Sequence, residues 1–459
     1  MKAHRRQFLF GCKEYVFSEG VKTLSLPSGC CLSYEQDLPL ATSKSIDTII
    51  IGHVICSVTG KSAKDLVDSV SDVDMDTRHW VGRWILYHRG FLFSDVTTSL
   101  ALFYPQNSTE FWISSSAALL SEVVPGLTAP DMVFKESNHL APTTCVKNVK
   151  QVMIGEKVDL STGKILWQGF SPLQQSIKGP DILNTLEKRF KCIADALLRD
   201  HFDVFTALTS GQDSRLDFAA LLSAGRNSKF STFTFVKNFL FMNPGDRDLP
   251  KAISKKFDVS HLAIKRGSVV GLMDRIYRKH CWTVRSLEPG SPYFYLRNGF
   301  WQQVPFRAIN IDHCYEIGRN TLYNKGIAGK SEHFSLEDLR QDGYVIDDND
   351  YLRLDEGLKK LMTEFPIDRR DALYLYKSYP LFGKLFQVQD LWVDSLFLGN
   401  SREMFSLLLS VSVGDRGNGK FHREVVKRLS PQLAEYPYNP SQPIWQKIFT
   451  KVISWLRRN

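Results

Sequence analysis

The sequence has no uninterrupted apolar stretch long enough to cross a bilayer, so a membrane-spanning protein is not expected. A secretory leader is not expected either, because the apolar run at residues 8–10 is short and two charged residues follow Cys12. We expect a first β-strand there instead. The eight cysteines form no CxxC pair and no Cys/His cluster, which argues against zinc and is typical of reduced thiols in a cytoplasmic protein.

The sequence also lacks a dense basic stripe, although its net charge is +9. A positive charge of this size, spread over 459 residues, weakly favours anionic partners such as nucleotides, phospholipid headgroups and acidic glycans, and we expect no nucleic-acid partner. No internal repeat and no low-complexity tract are present. The length predicts two domains, since single hydrophobic cores rarely grow past a few hundred residues.

Short strands separated by turns dominate residues 1–175, which we predict to form a first, α+β domain. The segments with strand-like composition are 47–56, 82–90, 91–95, 111–116, 149–159 and 164–167. The second and third segments form one predicted hairpin, and the last two form another.

A polar stretch with Gly and Pro at residues 176–181 predicts the linker to a second domain, residues 176–459. Asp181 is the predicted N-cap of a helix whose apolar stripe continues to residue 198. Strands are then predicted at 204–208, 231–236 and 261–264, and helices at 214–224 and 250–257. This alternation predicts a doubly wound parallel sheet, so the fold class is α/β.

The segment at residues 204–215 joins an apolar strand to a helix through a turn of small residues. Such a turn directs backbone N–H groups and the positive end of the helix dipole at one point, which makes an anion site. Asp213 adds a carboxylate, and beside bound phosphates a lone carboxylate is best explained by a bridging Mg²⁺. An ordinary capped helix after a strand is the simpler interpretation of the same residues.

This turn resembles the SGGxDS loop that binds the pyrophosphate of ATP in asparagine synthetase-like enzymes. Gly211, Asp213 and Ser214 match that loop, whereas Thr209 replaces its first Ser and Ser210 its first Gly. The resemblance implies ATP and Mg²⁺ as cofactors, with Asp213 as the metal ligand. The cofactor-binding residues that it implies are Thr209, Ser210, Gly211, Gln212, Asp213, Ser214, Arg215 and, from the strand that lines the family's adenine pocket, Phe235.

The resemblance continues along most of the second domain. Asp246 is similar to an acidic residue of the family, and residues 311–319 resemble its second acidic turn. In that turn Glu316 is kept, but Tyr315 stands where the preceding acid is usual. The resemblance implies Glu316 and Lys420 as catalytic residues; a solvated surface lysine is the alternative interpretation of Lys420.

Residues 1–175 resemble the family's N-terminal-nucleophile glutaminase domain, with residues 82–95 as its central hairpin. In the members that use glutamine, a Cys follows the initiator Met and attacks the substrate. Here that position is Lys2, and Cys12 lies too far along the chain to present its own α-amine. We therefore expect a degenerate domain that does not hydrolyse glutamine, as in β-lactam synthetase and the lasso-peptide cyclases.

The function expected from these features is ATP-dependent amide-bond formation. A substrate carboxylate is adenylated, pyrophosphate leaves, and an amine of unknown source then displaces AMP. Small-molecule, sugar and peptide carboxylates all remain open, including uronic acids of surface polysaccharide and peptides that are cyclised. The alternative is a catalytically inactive nucleotide-binding or scaffold homologue, which Lys2, Ser210 and Tyr315 favour.

The C-terminal segment at residues 444–458 has an apolar helical face with basic residues elsewhere. A last helix docked on the core is the first interpretation, and weak contact with an anionic membrane surface is the second. We expect a cytoplasmic protein, peripheral to the inner face of the membrane in the second case. His53 and His88 are expected to be structural, and residues 347–350 to form a solvated loop.

Overall fold

The computed structural model describes residues 5–127, 138–169, 179–236, 244–265, 308–319, 335–365, 367–390 and 393–440, apart from a few positions inside these ranges. In these ranges the protein is mixed α/β, with one five-stranded parallel sheet and two six-stranded antiparallel sheets. None of the helices described there is both long and apolar enough to cross a membrane.

The two antiparallel sheets are built from the first part of the chain. Its strands are β1 (Phe8–Gly11), β2 (Val21–Ser25), β3 (Cys31–Glu35), β4 (Leu40–Thr42), β5 (Thr48–Cys56), β6 (Trp80–His88), β7 (Phe91–Ser94), β8 (Phe103–Pro105), β9 (Trp112–Ser114), β10 (Asn138–His139), β11 (Val149–Gln151), β12 (Glu156–Asp159) and β13 (Ile165–Trp167). The helices are α1 (Ala63–Leu66), α2 (Val73–Thr77) and α3 (Ala117–Val123). The strand orders are β11-β8-β9-β1-β3-β2 and β13-β12-β7-β6-β5-β4.

Alternating side chains of the two antiparallel sheets form one core. Phe8 and Phe10 of β1 pack with Ile49 and Ile51 of β5 and with Ile85 of β6, and all five are fully buried. Because successive residues of a strand point to opposite faces, this alternation places both sheets against the same core.

The β6–β7 hairpin confirms the sequence prediction. Its turn residues Arg89 and Gly90 both have positive φ, 47° and 88°, as a two-residue hairpin turn requires. The second predicted hairpin is β12–β13, but the strand predicted at 149–159 is wrong as one element. A turn at residues 152–155, with Gly155 at φ 79°, separates β11 from β12, and the two strands belong to different sheets.

The parallel sheet is built from the second part of the chain. Its elements and the segments between and after them are α4 (Gly179–Asp200), β14 (Val204–Ala207), α5 (Gln212–Ser223), β15 (Phe230–Val236), α6 (Pro244–Lys256), β16 (Ser260–Lys265), β17 (Ile309–Asp312), a 3₁₀ helix (Glu316–Arg319), α7 (Leu336–Gln341), β18 (Tyr344–Val345), α8 (Asp348–Glu364), α9 (Arg369–Gln389), β19 (Asp394–Phe397), α10 (Arg402–Leu409), α11 (Val413–Arg416), α12 (Lys420–Leu429) and α13 (Pro431–Ala434). β18 pairs only with β10, as a separate two-stranded sheet.

The strand order of the parallel sheet is β16-β15-β14-β17-β19, and the side on which the chain adds strands changes after β14 has been extended through β15 and β16. We call this position, at β14, the reversal of strand order. The chain first adds strands on one side of β14 and then adds β17 and β19 on the other. Side chains of α4, α5 and α12 cover one face of this sheet in a single large core. In open sheets of this kind, ligands bind in the crevice at the carboxyl ends of the strands beside the reversal.

Several helices begin earlier than the sequence predicts. Helix α4 begins at Gly179, so Asp181 lies in its first turn and is not its N-cap. Helix α5 begins at Gln212 and ends before Gly225, whose φ is 66°. Helix α6 begins at Pro244 and contains Pro250.

Buried ion pairs join the antiparallel region to the helices of the second part. Arg83 of β6 donates to Asp390 at 2.8 Å, and Arg353 of α8 contacts Glu156 at 2.5 Å. Lys150 of β11 pairs with Asp350. The solvated loop predicted at 347–350 is therefore wrong for its last three residues, which begin α8; residue 347 lies outside the described residues.

Candidate functional site

The loop at residues 208–211 lies at the carboxyl end of β14, where the strand order reverses. Gly211 is the N-cap of α5 and has no side chain with which to cap the helix. The first helical residues include Asp213 and Ser214, both buried. The strand, loop and helix therefore have the arrangement predicted from the sequence.

Three consecutive N–H groups of this loop donate to side-chain oxygens of the protein. Thr209 N–H donates to Ser214 Oγ at 3.1 Å, Ser210 N–H to Asp246 Oδ1 at 2.8 Å, and Gly211 N–H to Thr209 Oγ1 at 3.0 Å. An anion that used these donors would have to exchange with those oxygens. Asp246, in the first turn of α6, thus belongs to the loop's immediate surroundings.

Ser210, which stands where the family loop has Gly, is held through every polar group it has. Its hydroxyl donates to Asp246 Oδ1 at 2.7 Å, and its carbonyl oxygen accepts from the Asn439 N–H at 3.0 Å. The residue is almost completely buried. Its side chain therefore points to Asp246 and not into open space.

Arg215 holds residues 436–440, which we call the C-terminal strap, against α5. Its guanidinium donates to the carbonyl oxygens of Tyr436 at 2.8 Å and of Pro437 at 2.5 Å, and it lies 4.3 Å from the ring centroid of Tyr438. Burial lowers the pKa of Arg215 from its usual range. The described contacts of this predicted cofactor-binding residue are thus with the strap, and Asn439 connects the strap to the loop.

A buried group of polar side chains lies behind Asp213. His422 of α12 places Nε2 at 3.7 Å from Asp213 Oδ1, and its ring meets that of Tyr315 edge-on at 6.2 Å. The Tyr315 hydroxyl donates to Asp217 at 2.8 Å, and burial, followed by the Asp217 charge, raises the pKa of Tyr315 well above its usual value. Neither His422 nor Asp217 was predicted from the sequence. The spacing of four residues between Asp213 and Asp217, which places both on one face of α5, was the available signal.

The two predicted catalytic residues lie on different elements. Glu316 begins the 3₁₀ helix that follows β17, the strand next to β14 in the sheet. Lys420 begins α12, its side chain is 76 % exposed, and its Nζ lies 3.8 Å from Asp415. The residue before it, Gly419, touches the side chain of Gln212, so α12 begins beside the loop.

Phe235 and Lys2 complete the predicted set. Phe235 lies near the end of β15, half-buried, with its ring 5.3 Å from that of Phe233. Because Ala207 pairs with Phe233, Phe235 extends past the end of β14 to the level of the loop. Lys2 lies outside the described residues, as do residues 444–458.

Among the described residues, no group of three or more His, Cys, Asp or Glu side chains is close enough to form a metal site. Asp213, the carboxylate predicted to hold Mg²⁺, lies buried in the first turn of α5. Its role as a metal ligand stays a prediction.

A cavity lies between the antiparallel region and β19. Arg6, His53, Arg83 and Asp394 are among the described residues that line it. His53 Nε2 lies 2.8 Å from Asp394 Oδ2, and the structural role expected for His53 stays a prediction. Burial, then the nearby His201, Arg6 and Arg83, lowers the pKa of His53 well below its usual value.

Comparison with known proteins does not identify this chain. No family model matches it, and none of the curated proteins is significantly similar to it in sequence.

Proposed function

We propose that this protein activates a carboxylate with ATP and transfers the resulting acyl group to an amine. The observation that carries the proposal is the position of the β14–loop–α5 unit at the reversal point of a parallel sheet. A helix N-terminus at such a crevice favours an anionic group, because its N–H groups and dipole both point into the crevice. Because residues 209–215 resemble a pyrophosphate-binding loop, we propose that this anion is the pyrophosphate part of ATP.

We assign roles to three of the predicted residues, Asp213, Ser214 and Phe235, from their positions. Asp213 would hold Mg²⁺ together with phosphate oxygens, which neutralises the charge that develops on the leaving pyrophosphate. Ser214 and the N–H groups at the start of α5 would bind the pyrophosphate itself. Phe235, at the level of the loop on the neighbouring strand, would pack against the adenine.

The reaction would proceed in two displacements. A carboxylate oxygen of the substrate attacks the α-phosphorus of ATP, and the bond to pyrophosphate breaks. The amine then attacks the acyl carbon, Glu316 accepts its proton, and AMP leaves with the electron pair of the broken C–O bond. Lys420, at the beginning of α12, would neutralise charge on the phosphates once its side chain turns from Asp415 toward the loop.

We further propose that the chain is a divergent member of the asparagine synthetase-like family. Residues 1–175 would be a degenerate glutaminase-like domain with a sandwich fold, and residues 176–459 the synthetase domain. The amine would come from a source other than glutamine hydrolysis by residues 1–175. A small-molecule, sugar or peptide carboxylate is the proposed substrate class.

An inactive nucleotide-binding or scaffold homologue is the second candidate. The observation that favours it is the loop itself, whose three consecutive N–H groups donate to Ser214, Asp246 and Thr209. Tyr315, buried and bonded to Asp217, also stands where the family has an acid.

Exchange of labelled pyrophosphate into ATP separates the two candidates. For an active synthetase we expect exchange that depends on an added carboxylate, surveyed over uronic acids, amino acids and peptides. Asp213→Ala should abolish exchange and AMP formation while the fold is retained, whereas Asp348→Ala, at a side chain 80 % exposed, should retain both. AMP formation that persists in a folded Asp213→Ala protein would exclude the role of Asp213, and nucleotide binding with no exchange for any carboxylate would favour the scaffold.

A further inference from the structure

The contact between Asp246 and Ser210 places a carboxylate where the loop would otherwise receive an anion. Both the N–H and the hydroxyl of Ser210 donate to the same oxygen, Asp246 Oδ1, at 2.8 and 2.7 Å. We propose that Asp246 acts as an internal competitor that closes the loop, and that phosphate binding requires its displacement. This inference rests on the proposed function only in taking the loop to be a phosphate site.

The chemistry of the contact supports competition. A carboxylate oxygen and a phosphate oxygen are both charged acceptors, and either satisfies a backbone N–H at a helix N-terminus. The two do not share the position readily, because like charges at van der Waals distance repel strongly where water is scarce. Ser210 is 1 % exposed and Asp246 is half-buried, so water reaches this contact only in part.

The C-terminal strap reinforces the closed arrangement from the other side of Ser210. The Asn439 N–H donates to the Ser210 carbonyl, so the peptide groups before and after Ser210 are both fixed. Pro440 packs against Gly245, the residue before Asp246, so closely that a Cβ on Gly245 would lie 2.5 Å from its ring. Movement of Asp246 away from the loop is therefore coupled to the strap.

The serine at position 210 strengthens this closure. With a glycine at position 210, as in the family loop, Asp246 would keep the hydrogen bond from the backbone N–H and lose the one from the hydroxyl. Ser210→Gly should therefore weaken the competitor without removing its charge. Asp246→Asn should weaken it more, because the amide oxygen still accepts a hydrogen bond but carries no charge.

The test is calorimetric titration of the full chain with inorganic pyrophosphate in EDTA, so that no divalent cation bridges the two anions. Asp246→Asn should bind pyrophosphate about tenfold more tightly than the unmodified chain, and Ser210→Gly a few-fold more tightly. Asp248→Asn is the matched control: it lies on the same helix, makes the same change of net charge, and its side chain is 61 % exposed beside Arg247. Its affinity should be unchanged.

Equal or weaker binding by Asp246→Asn would overturn the proposal, as would the same increase in Asp248→Asn or no pyrophosphate binding in any variant. Circular dichroism establishes folding, and Ser210→Gly supplies the test if Asp246→Asn does not fold. Tighter pyrophosphate binding without any carboxylate-dependent AMP formation would leave the competitor in place and exclude the synthetase. Carboxylate-dependent AMP formation, with the same pyrophosphate affinity in Asp246→Asn as in the unmodified chain, would support the synthetase and exclude Asp246 as a competitor.

Discussion

Replacement of Glu403 by glutamine should destabilise the protein in a pH-dependent way. The Glu403 carboxylate, 12 % exposed, accepts from His79 at 2.9 Å and from two nitrogens of Arg189 at 2.8 and 2.7 Å. It therefore joins α10 to α4 and to the residue that precedes β6. Burial alone would raise the pKa of Glu403, but the hydrogen bonds and charges of His79 and Arg189 outweigh it and lower the pKa from 4.5 to about 2.

The size of the effect follows from that pKa. A difference of about 2.5 units between folded and unfolded chains corresponds to about 3 kcal/mol of unfolding free energy. Because the folded pKa of Glu403 is the lower one, this stabilisation is fully present above pH 4.5 and is lost as the pH falls toward 2. Glu403→Gln should therefore cost about 3 kcal/mol at pH 7 and almost nothing near pH 2.

Urea unfolding, followed by tryptophan fluorescence at several pH values between 2 and 7, measures this difference. Glu435→Gln, at an exposed position on the surface, is the control and should follow the unmodified protein throughout. A Glu403→Gln protein whose deficit is the same at pH 7 and pH 3, or is below about 1 kcal/mol at pH 7, would refute the coupling of this carboxylate to its two partners.

Two further predictions concern packing near the site and between the two parts of the chain. Tyr315→Phe removes a fully buried hydroxyl from Asp217 and should lower the unfolding free energy by about 2 kcal/mol in the same urea assay; a loss below about 0.5 kcal/mol would mean that Asp217 is satisfied without it. Gly383→Ala would place a Cβ 2.7 Å from Ser99 Cα and should lower the unfolding free energy by about 1–3 kcal/mol. In the control Gly417→Ala the added Cβ meets nothing within 4 Å, so the thermal midpoint should fall little. Equal midpoints for the two variants would contradict close packing at Gly383.

The sequence predicted the strands that carry a strong local signal. β5 and the β6–β7 hairpin have long β-branched or aromatic stretches and a turn that needs positive φ, so their pattern is readable without tertiary contacts. β17 and β19 were not predicted, because each has only four residues and is interrupted by polar side chains such as Asn310 and Ser395. Their strand conformation depends on pairing with neighbouring strands of the sheet.

The site divides in the same way. The strand–loop–helix at 204–215 is local, and its small residues and apolar strand predicted it. The contacts made by the loop and by Arg215 are not local in sequence. Asp246 is 36 residues from Ser210, and the Tyr436 carbonyl that accepts from Arg215 is 221 residues away. Neither partner has a pattern that distinguishes it from an ordinary helix-start carboxylate or loop segment. The sequence was therefore sufficient to locate the loop, whereas the contacts of the loop region with Asp246 and with the C-terminal strap are visible only in the fold.

The ion pairs between the two parts of the chain also set an order of events during synthesis. The described strands of both antiparallel sheets are complete by residue 167, so these two sheets can pair early. Arg83, however, meets Asp390 only 307 residues later, which takes about 15–60 s at 5–20 residues per second. Throughout that interval the Arg83 guanidinium can donate to the Ser99 carbonyl oxygen but lacks the Asp390 carboxylate. We expect water to solvate its remaining N–H groups until α9 and the residue after it are made.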